Sequence, residues 1–171
     1  MRAKMILGTA ALGLTVALTS ASSSAFANSQ GHHDDNGGVR VLRVTLTNTQ
    51  EAVFDNGAKG PSVGDRFSEF GDVVRNGQRV GAGGLECVTL QYTPGPDPAG
   101  PPAAETDLCT ATLALPEGQI SVQGLVDRAG PVPITLPVTG GTGAYRTAHG
   151  ELQTSGPNQA GDEPLVLRLI L

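Results

Sequence analysis

From Val39 onward, short segments of alternating apolar and polar residues are separated by turn-forming residues, and this pattern limits the chain to β structure. In the first segment Leu42, Val44 and Leu46 are spaced two apart, which is the side-chain period of a strand. Asn76-Gly77 is typical of a two-residue hairpin turn. The pattern predicts eight strands, over residues 39–49, 65–74, 79–92, 108–115, 119–126, 132–138, 144–154 and 165–171.

The predicted strands follow one another closely, so we expect one all-β domain over residues 39–171 with antiparallel neighbours. The 24 glycines and 12 prolines of the chain supply the turns. Residues 93–106 are predicted to be a loop because proline donates no ladder hydrogen bond. Periodicity alone leaves a sandwich and an eight-stranded closed barrel open; we prefer the barrel, since closure removes both sheet edges and leaves room for one small ligand.

The first 27 residues are typical of a signal peptide. Arg2 and Lys4 precede an apolar run over residues 6–18, and a small-x-small cleavage pattern ends at Ala27. The run is too short to span a bilayer, which needs about 20 apolar residues. We therefore expect a secreted, extracellular protein with no membrane anchor after cleavage, and a flexible lead-in over residues 28–38.

The charge of the predicted mature chain excludes two classes of partner. Arg2 and Lys4 belong to the leader, so 9 of the 11 basic residues remain against 16 acidic ones. Nucleic acid and anionic lipid both require clusters of lysine and arginine. We expect neither as a partner.

The two cysteines, Cys87 and Cys109, are predicted to form a disulfide, since an even cysteine count in an exported chain usually means pairing. A reactive thiol is the alternative reading. Two cysteines are too few for a zinc site, and His32 and His33 lie in the lead-in. We therefore expect no metal and no cofactor.

Five sequence blocks resemble the allene oxide cyclase and dirigent families, and the likeness covers residues 39–171. The resemblance implies an eight-stranded barrel with a hydrophobic cavity, often trimeric, that acts by restricting the conformation of its ligand. The most specific block is the glycine-rich one that contains Tyr145. The blocks are GDRF (64–67), GGLECV (83–88), ISVQG (120–124), VTGGTGAY (138–145) and RTAHGEL (146–152).

Two departures from the cyclase pattern argue against a true allene oxide cyclase. The acidic residue that the plant cyclases carry on the first strand is replaced by Leu46, although the asparagine two residues later is kept as Asn48. The tyrosine that follows the SVQG-like strand is also missing, because Leu125 and Val126 occupy that stretch. Resemblance in fold does not carry the reaction with it.

The remaining polar residues give a predicted cavity with Asn48 and Asp72 as candidate catalytic groups. Asp72 matches a polar residue on the second strand of the cyclases, and Asn48 shares a face with Leu46. No Ser/His/Asp array or phosphate loop can be assembled. The predicted ligand pocket consists of Leu42, Val44, Leu46, Asn48, Phe70, Asp72 and Leu113.

Three functions are compatible with this prediction. The first is a secreted barrel that binds a small hydrophobic or aromatic metabolite and steers its coupling or cyclisation in dirigent-like fashion. The second is a cyclase or isomerase acting on a polyketide- or lipid-like substrate. The third is a structural protein whose own side chains fill the cavity.

An apolar band on the outer face of the third and fourth predicted strands indicates an interface. Together with the resemblance, this band favours a homotrimer. The band consists of Val88, Leu90, Tyr92, Thr110 and Thr112.

Overall fold

The computed structural model describes residues 38–97 and 99–171, and these form eight β-strands and one short helix. The predicted signal peptide and nearly all of the predicted lead-in lie outside the described residues. The strands are β1 (Arg40–Phe54), β2 (Arg66–Arg75), β3 (Gln78–Thr93), β4 (Ala104–Leu115), β5 (Gly118–Asp127), β6 (Ile134–Gly141), β7 (His149–Thr154) and β8 (Asp162–Ile170).

The strands close into an antiparallel barrel in chain order, and the prediction of an eight-stranded closed barrel is confirmed. Each strand pairs with the next, and β8 returns to pair with β1, where Leu42 lies opposite Leu167. Asn76 takes a positive φ of 53° beside Gly77 in the predicted hairpin turn between β2 and β3. Among the described residues, no helix has the length and apolar character needed to span a bilayer.

Several strand boundaries differ from the prediction because the barrel adds pairing that periodicity does not reveal. β1 continues past Thr49 to Phe54, and β4 begins within the predicted loop, at Ala104. Extra residues interrupt the ladders at Thr49, Val80 and Leu90, where the register shifts by one. Such a bulge reverses which side chains face inward on the strand beyond it.

A single turn of 3₁₀ helix, Gly143–Tyr145, closes one end of the barrel. The prediction of a strand from residue 144 is wrong here, because β7 begins only at His149. Tyr145 is completely buried under this turn. The turn requires glycine at Gly143, which has a φ of 59° and packs so tightly that a Cβ atom would collide with the Glu117 carbonyl oxygen.

The core lies inside the barrel and is most apolar near the closed end. Alternate residues of each strand point inward, as their period of two requires. The completely buried inward side chains include Val73, Ile120, Val122, Leu167 and Leu169.

Candidate functional site

The interior of the barrel is hollow towards the end opposite the 3₁₀ turn. A cavity of about 290 Å³ lies there, which is many times the volume needed to hold a single buried water. The structural-protein hypothesis predicts that the barrel's own side chains fill its interior, and the cavity shows that they do not. The apolar wall of the cavity is formed by Leu46, Phe67, Leu85, Ala111, Leu113, Val122, Val126, Ile134, Leu136, Leu152 and Leu165.

Polar side chains occupy one side of the cavity, on β1, β2, β7 and β8. Glu51 and Glu69 are directly opposite each other across the β1–β2 pair, and both line the cavity. Thr154 donates a hydrogen bond from Oγ1 to Oε1 of Glu163, at 2.8 Å. Asn48 completes the group of five, which we call the polar cluster.

Glu69 is the most buried carboxyl group of the polar cluster, with 9% of its surface exposed. Its Oε1 atom is buried and has no hydrogen-bond partner within the protein, and the same holds for Oδ1 of Asn48. A buried acceptor without a donor costs free energy. Two such acceptors therefore lie beside one cavity.

The electrostatic environment of Glu69 raises the pKa of its carboxyl group above the ordinary value of 4.5. Burial is the largest cause, because an apolar surrounding disfavours the charged form. The carboxylates of Glu163 and Glu51 raise it further, whereas the Asn48 amide and the Arg128 guanidinium lower it. The carboxylate of Glu69 is therefore a stronger base than an exposed one.

A wider opening of about 690 Å³, here called the vestibule, adjoins the cavity. Phe67, Cys87 and Arg128 line both spaces. The vestibule is also lined by residues of the loops that join β1 to β2, β3 to β4, and β5 to β6, which meet at this end of the barrel. These loops therefore border the mouth of the cavity.

Asp65 holds the first of these loops in shape. Its carboxylate accepts hydrogen bonds from the backbone N–H groups of Asn56 and Ser62, both at 2.8 Å. These bonds lower the pKa of the Asp65 carboxyl, the Asn56 contact being the larger cause. Loops positioned by such contacts on a rigid scaffold commonly carry function.

An ion pair marks the boundary between vestibule and cavity. The Arg128 Nε donates to Oδ2 of Asp107 at 2.8 Å, and the Asp107 side chain is only 5% exposed. The other oxygen of Asp107, Oδ1, is buried and has no partner. Nearby, burial raises the pKa of the Glu105 carboxyl.

The predicted disulfide between Cys87 and Cys109 is confirmed, and the two residues are directly paired across β3 and β4. Both half-cystines line the cavity, so the bridge is part of its wall. Cys87 therefore has no free thiol for catalysis. The carboxylate of Asp107 lies within 4.8 Å of both sulfur atoms, but a disulfide lacks the thiolates that bind metals.

The structure places the seven predicted pocket residues in three different environments. Leu46, Asn48 and Leu113 line the cavity. Leu42 and Val44 are buried in the apolar core nearer the closed end and are not part of its lining. Phe70 and Asp72 lie on the outer face of the barrel.

The prediction that Phe70 and Asp72 face the cavity is therefore wrong. Phe70 is 49% exposed, and its ring lies beside Gly84 on the outer wall. Asp72 accepts a bond from the Arg79 Nε at 2.6 Å, with both side chains exposed. Asp72 has no contact with the cavity and is replaced by Glu69 as the acidic residue of β2 that faces it.

The predicted outer apolar band is also wrong at one residue, Tyr92. Because of the bulge at Leu90, Tyr92 lines the vestibule instead of the outer wall. Leu90 remains 50% exposed. A row of outward residues, Val88, Leu108 and Leu125, is paired across β3, β4 and β5.

The fold and the hollow interior define a class of small antiparallel barrels that enclose a cavity. Residues 40–160 match the model of the allene oxide cyclase barrel like domain, and the chain belongs to this family. A comparison with curated proteins found no match.

Solved structures with the same fold include enzymes and dirigent proteins. A pyocyanin demethylase is 29% identical, with a TM-score of 0.66 over 76% of this chain and 99% of its own. An exo-specific intermolecular Diels-Alderase is 16% identical, with a TM-score of 0.59 over 78% of this chain and 98% of its own. A pterocarpan synthase dirigent protein is 14% identical, with a TM-score of 0.54 over 77% and 93%.

Proposed function

We propose that this chain is a secreted barrel that binds a small hydrophobic or aromatic metabolite in the cavity and steers its cyclisation or coupling. The observation that carries the proposal is the hollow of about 290 Å³, apolar on most of its wall and bordered by one polar cluster. Such a combination of apolar wall and few convergent polar groups is typical of small-molecule sites. The solved structures of the same fold support it, since they include a Diels-Alderase and a dirigent protein.

The apolar wall supplies the conformational part of this function. A flexible ligand confined by Leu46, Leu113 and Leu152 loses most of its alternative conformations before it reacts. Holding reacting atoms close together removes much of the entropic barrier to ring closure. The wall therefore favours one cyclisation or coupling geometry without any covalent chemistry by the protein.

The polar cluster supplies orientation and proton transfer. Glu69 accepts a hydrogen bond or a proton from the ligand through its free Oε1 atom. A base with a raised pKa removes a proton more readily than an ordinary carboxylate. Asn48 accepts a second hydrogen bond through Oδ1, which fixes the ligand in one orientation.

A cyclase or isomerase acting on a polyketide- or lipid-like substrate is the second candidate function at the same site. The free and basic Glu69 favours it, since proton transfer would then be part of turnover. Replacing Glu69 by Gln separates the two functions. If the protein is an enzyme, the variant loses turnover while binding persists; if the protein only steers, the variant still gives product and only the stereochemistry of that product changes.

Export and assembly are part of the proposal. The Cys87–Cys109 disulfide supports an oxidising compartment.

The exposed Leu125, 62% accessible, belongs to an outer apolar row that supports a homotrimer. Sedimentation of the wild type as a trimer, and of Leu125→Glu as a smaller species, is expected; a wild-type monomer contradicts the assembly.

The experiment that tests the proposed function is native mass spectrometry of the protein purified from culture medium of its own cells. We expect a noncovalently bound small molecule that denaturation releases. An unliganded protein that also fails to retain any compound from a hydrophobic metabolite extract contradicts the function.

A further inference from the structure

The two connected spaces have an unbalanced charge. Seven carboxyl groups line the cavity and the vestibule, against two guanidinium groups. The guanidinium groups belong to Arg66 and Arg128. The carboxyl groups belong to Glu51, Asp55, Asp65, Glu69, Glu105, Asp107 and Glu163.

Both arginines are already engaged by carboxylates. Arg128 is held by the buried Asp107. Arg66 forms an ion pair with Glu86 on the outer wall. Among the described residues that line the two spaces, each guanidinium therefore already has a carboxylate partner.

Within the cavity, the most buried part of this acidic lining consists of hydrogen-bond acceptors. Glu69 is about nine-tenths buried and lines the cavity with a partnerless Oε1. Asn48 presents a second partnerless oxygen to the same cavity. The nearby carboxylates of Glu163 and Glu51 disfavour a negative charge on Glu69, and a positive charge among them offsets that repulsion.

We propose that the ligand of this barrel is a cation: a compact ring system carrying a protonated nitrogen, with the rings against the apolar wall and the nitrogen beside Glu69. The inference rests on the proposed function, because it names the class of molecule that occupies the same cavity. An ammonium or ring N–H donates to Glu69 Oε1 and Asn48 Oδ1 and is attracted by Glu51 and Glu163. A fatty-acid carboxylate instead faces the excess of carboxyl groups that line the two spaces.

Three probes of equal size and different charge test this inference. They are 1-naphthylmethylammonium, 1-naphthylmethanol and 1-naphthoate, each titrated into the full-length secreted protein by calorimetry at neutral pH. We expect the ammonium to bind about tenfold or more tightly than the alcohol, since one partly screened charge contact is worth at least 1.4 kcal/mol. No binding of the carboxylate is expected.

Two matched variants assign the preference to the cluster. In Glu69→Gln the advantage of the ammonium over the alcohol falls several-fold, while the affinity for the alcohol is kept. Glu151→Gln removes an equivalent charge from the outer wall, where Glu151 pairs with Arg168, and leaves the preference unchanged. Intact folding of both variants is checked by circular dichroism.

The outcomes distinguish a failure of the cation proposal from a failure of the proposed function. Equal or tighter binding of the alcohol or the carboxylate overturns the cation proposal but leaves a ligand-binding barrel. Failure of all three probes overturns both. The protein is also titrated with Ca²⁺ before the ammonium is added. If stoichiometric Ca²⁺ blocks binding of the ammonium, the cluster is a metal site and the proposal is overturned.

Discussion

Glu51 and Glu69 lie directly opposite each other on β1 and β2, and both line the cavity. Like charges at directly paired positions destabilise a sheet. Glu163 adds a third carboxylate to the same cavity. The barrel keeps this repulsion at the point where its interior is hollow, as the proposed ligand site would lead one to expect.

The first prediction concerns Glu69 and pH. Its pKa is raised above 4.5 in the folded protein, mainly by burial; the Glu163 and Glu51 carboxylates raise it further, while the Asn48 amide and the Arg128 guanidinium lower it. The folded state therefore binds the proton more tightly than the unfolded state, and stability falls as pH rises from 4.5 through the folded pKa. Glu69→Gln removes this loss, so its melting temperature exceeds that of the wild type at pH 7 and approaches it near pH 4.

Thermal unfolding between pH 4 and pH 8 provides the measurement. Glu105, whose pKa is also raised by burial, leaves a residual slope of the same sign in the variant. Glu151→Gln serves as the control and is expected to follow the wild type. A Glu69→Gln variant that is less stable than the wild type at neutral pH contradicts the prediction.

The second prediction concerns the disulfide. Cys87 and Cys109 are separated by 22 residues in sequence, and closing a loop of this length stabilises the folded state by about 3 kcal/mol. Replacement of both cysteines by Ala lowers the free energy of unfolding by about that amount. Urea denaturation measures it, with the m-value reporting whether the fold is kept. An unchanged midpoint would show that the bridge contributes nothing.

The third prediction concerns the phenol of Tyr145 at the closed end. The residue is 0% exposed, and its hydroxyl oxygen is buried without a partner. Tyr145→Phe removes this unpaired group and keeps the ring beneath the Arg40 guanidinium, which lies 5.6 Å from the ring centroid. We expect the variant to be as stable as the wild type or more stable, by up to about 1 kcal/mol.

Chemical denaturation of Tyr145→Phe beside Tyr145→Leu distinguishes the hydroxyl from the ring. The leucine variant loses the ring and is expected to be destabilised by about 2 kcal/mol or more. A large loss of stability in the phenylalanine variant would mean that the hydroxyl is bonded after all.

The barrel and the disulfide could be predicted from the sequence because both depend on regular features. Leu42, Val44 and Leu46 alternate without interruption, and the inward face of β1 follows from them. Cys87 and Cys109 lie on strands joined by one loop, so their pairing follows from the antiparallel arrangement. The family resemblance then decided between barrel and sandwich.

The facing of β2 could not be predicted, because its two faces are chemically alike. Phe67 and Glu69 lie on one face, and Phe70 and Asp72 on the other. Without a bulge, the hairpin turn after Arg75 would set a register in which Phe70 and Asp72 share the face of Cys87. The single extra residue Val80 shifts that register and turns Phe67 and Glu69 inward.

The polar cluster was missed for related reasons. Glu51 lies beyond the bulge at Thr49, after the predicted end of the first strand. Glu163 lies just before the predicted start of the last strand. Residues at strand ends carry weak periodic signals, and here they are the ones that meet at the open end of the barrel.

The most direct test of the ligand cavity is to fill it with a larger side chain. Ala111 lines the cavity, whereas Thr135 is exposed on the outer face of β6, so Ala111→Phe and Thr135→Phe add the same aromatic ring inside and outside the barrel. The measurement is the dissociation constant of 1-naphthylmethanol for both variants and the wild type. The account predicts at least about tenfold weaker binding in Ala111→Phe alone, a loss of 1.4 kcal/mol or more; equal affinity in all three proteins would contradict it.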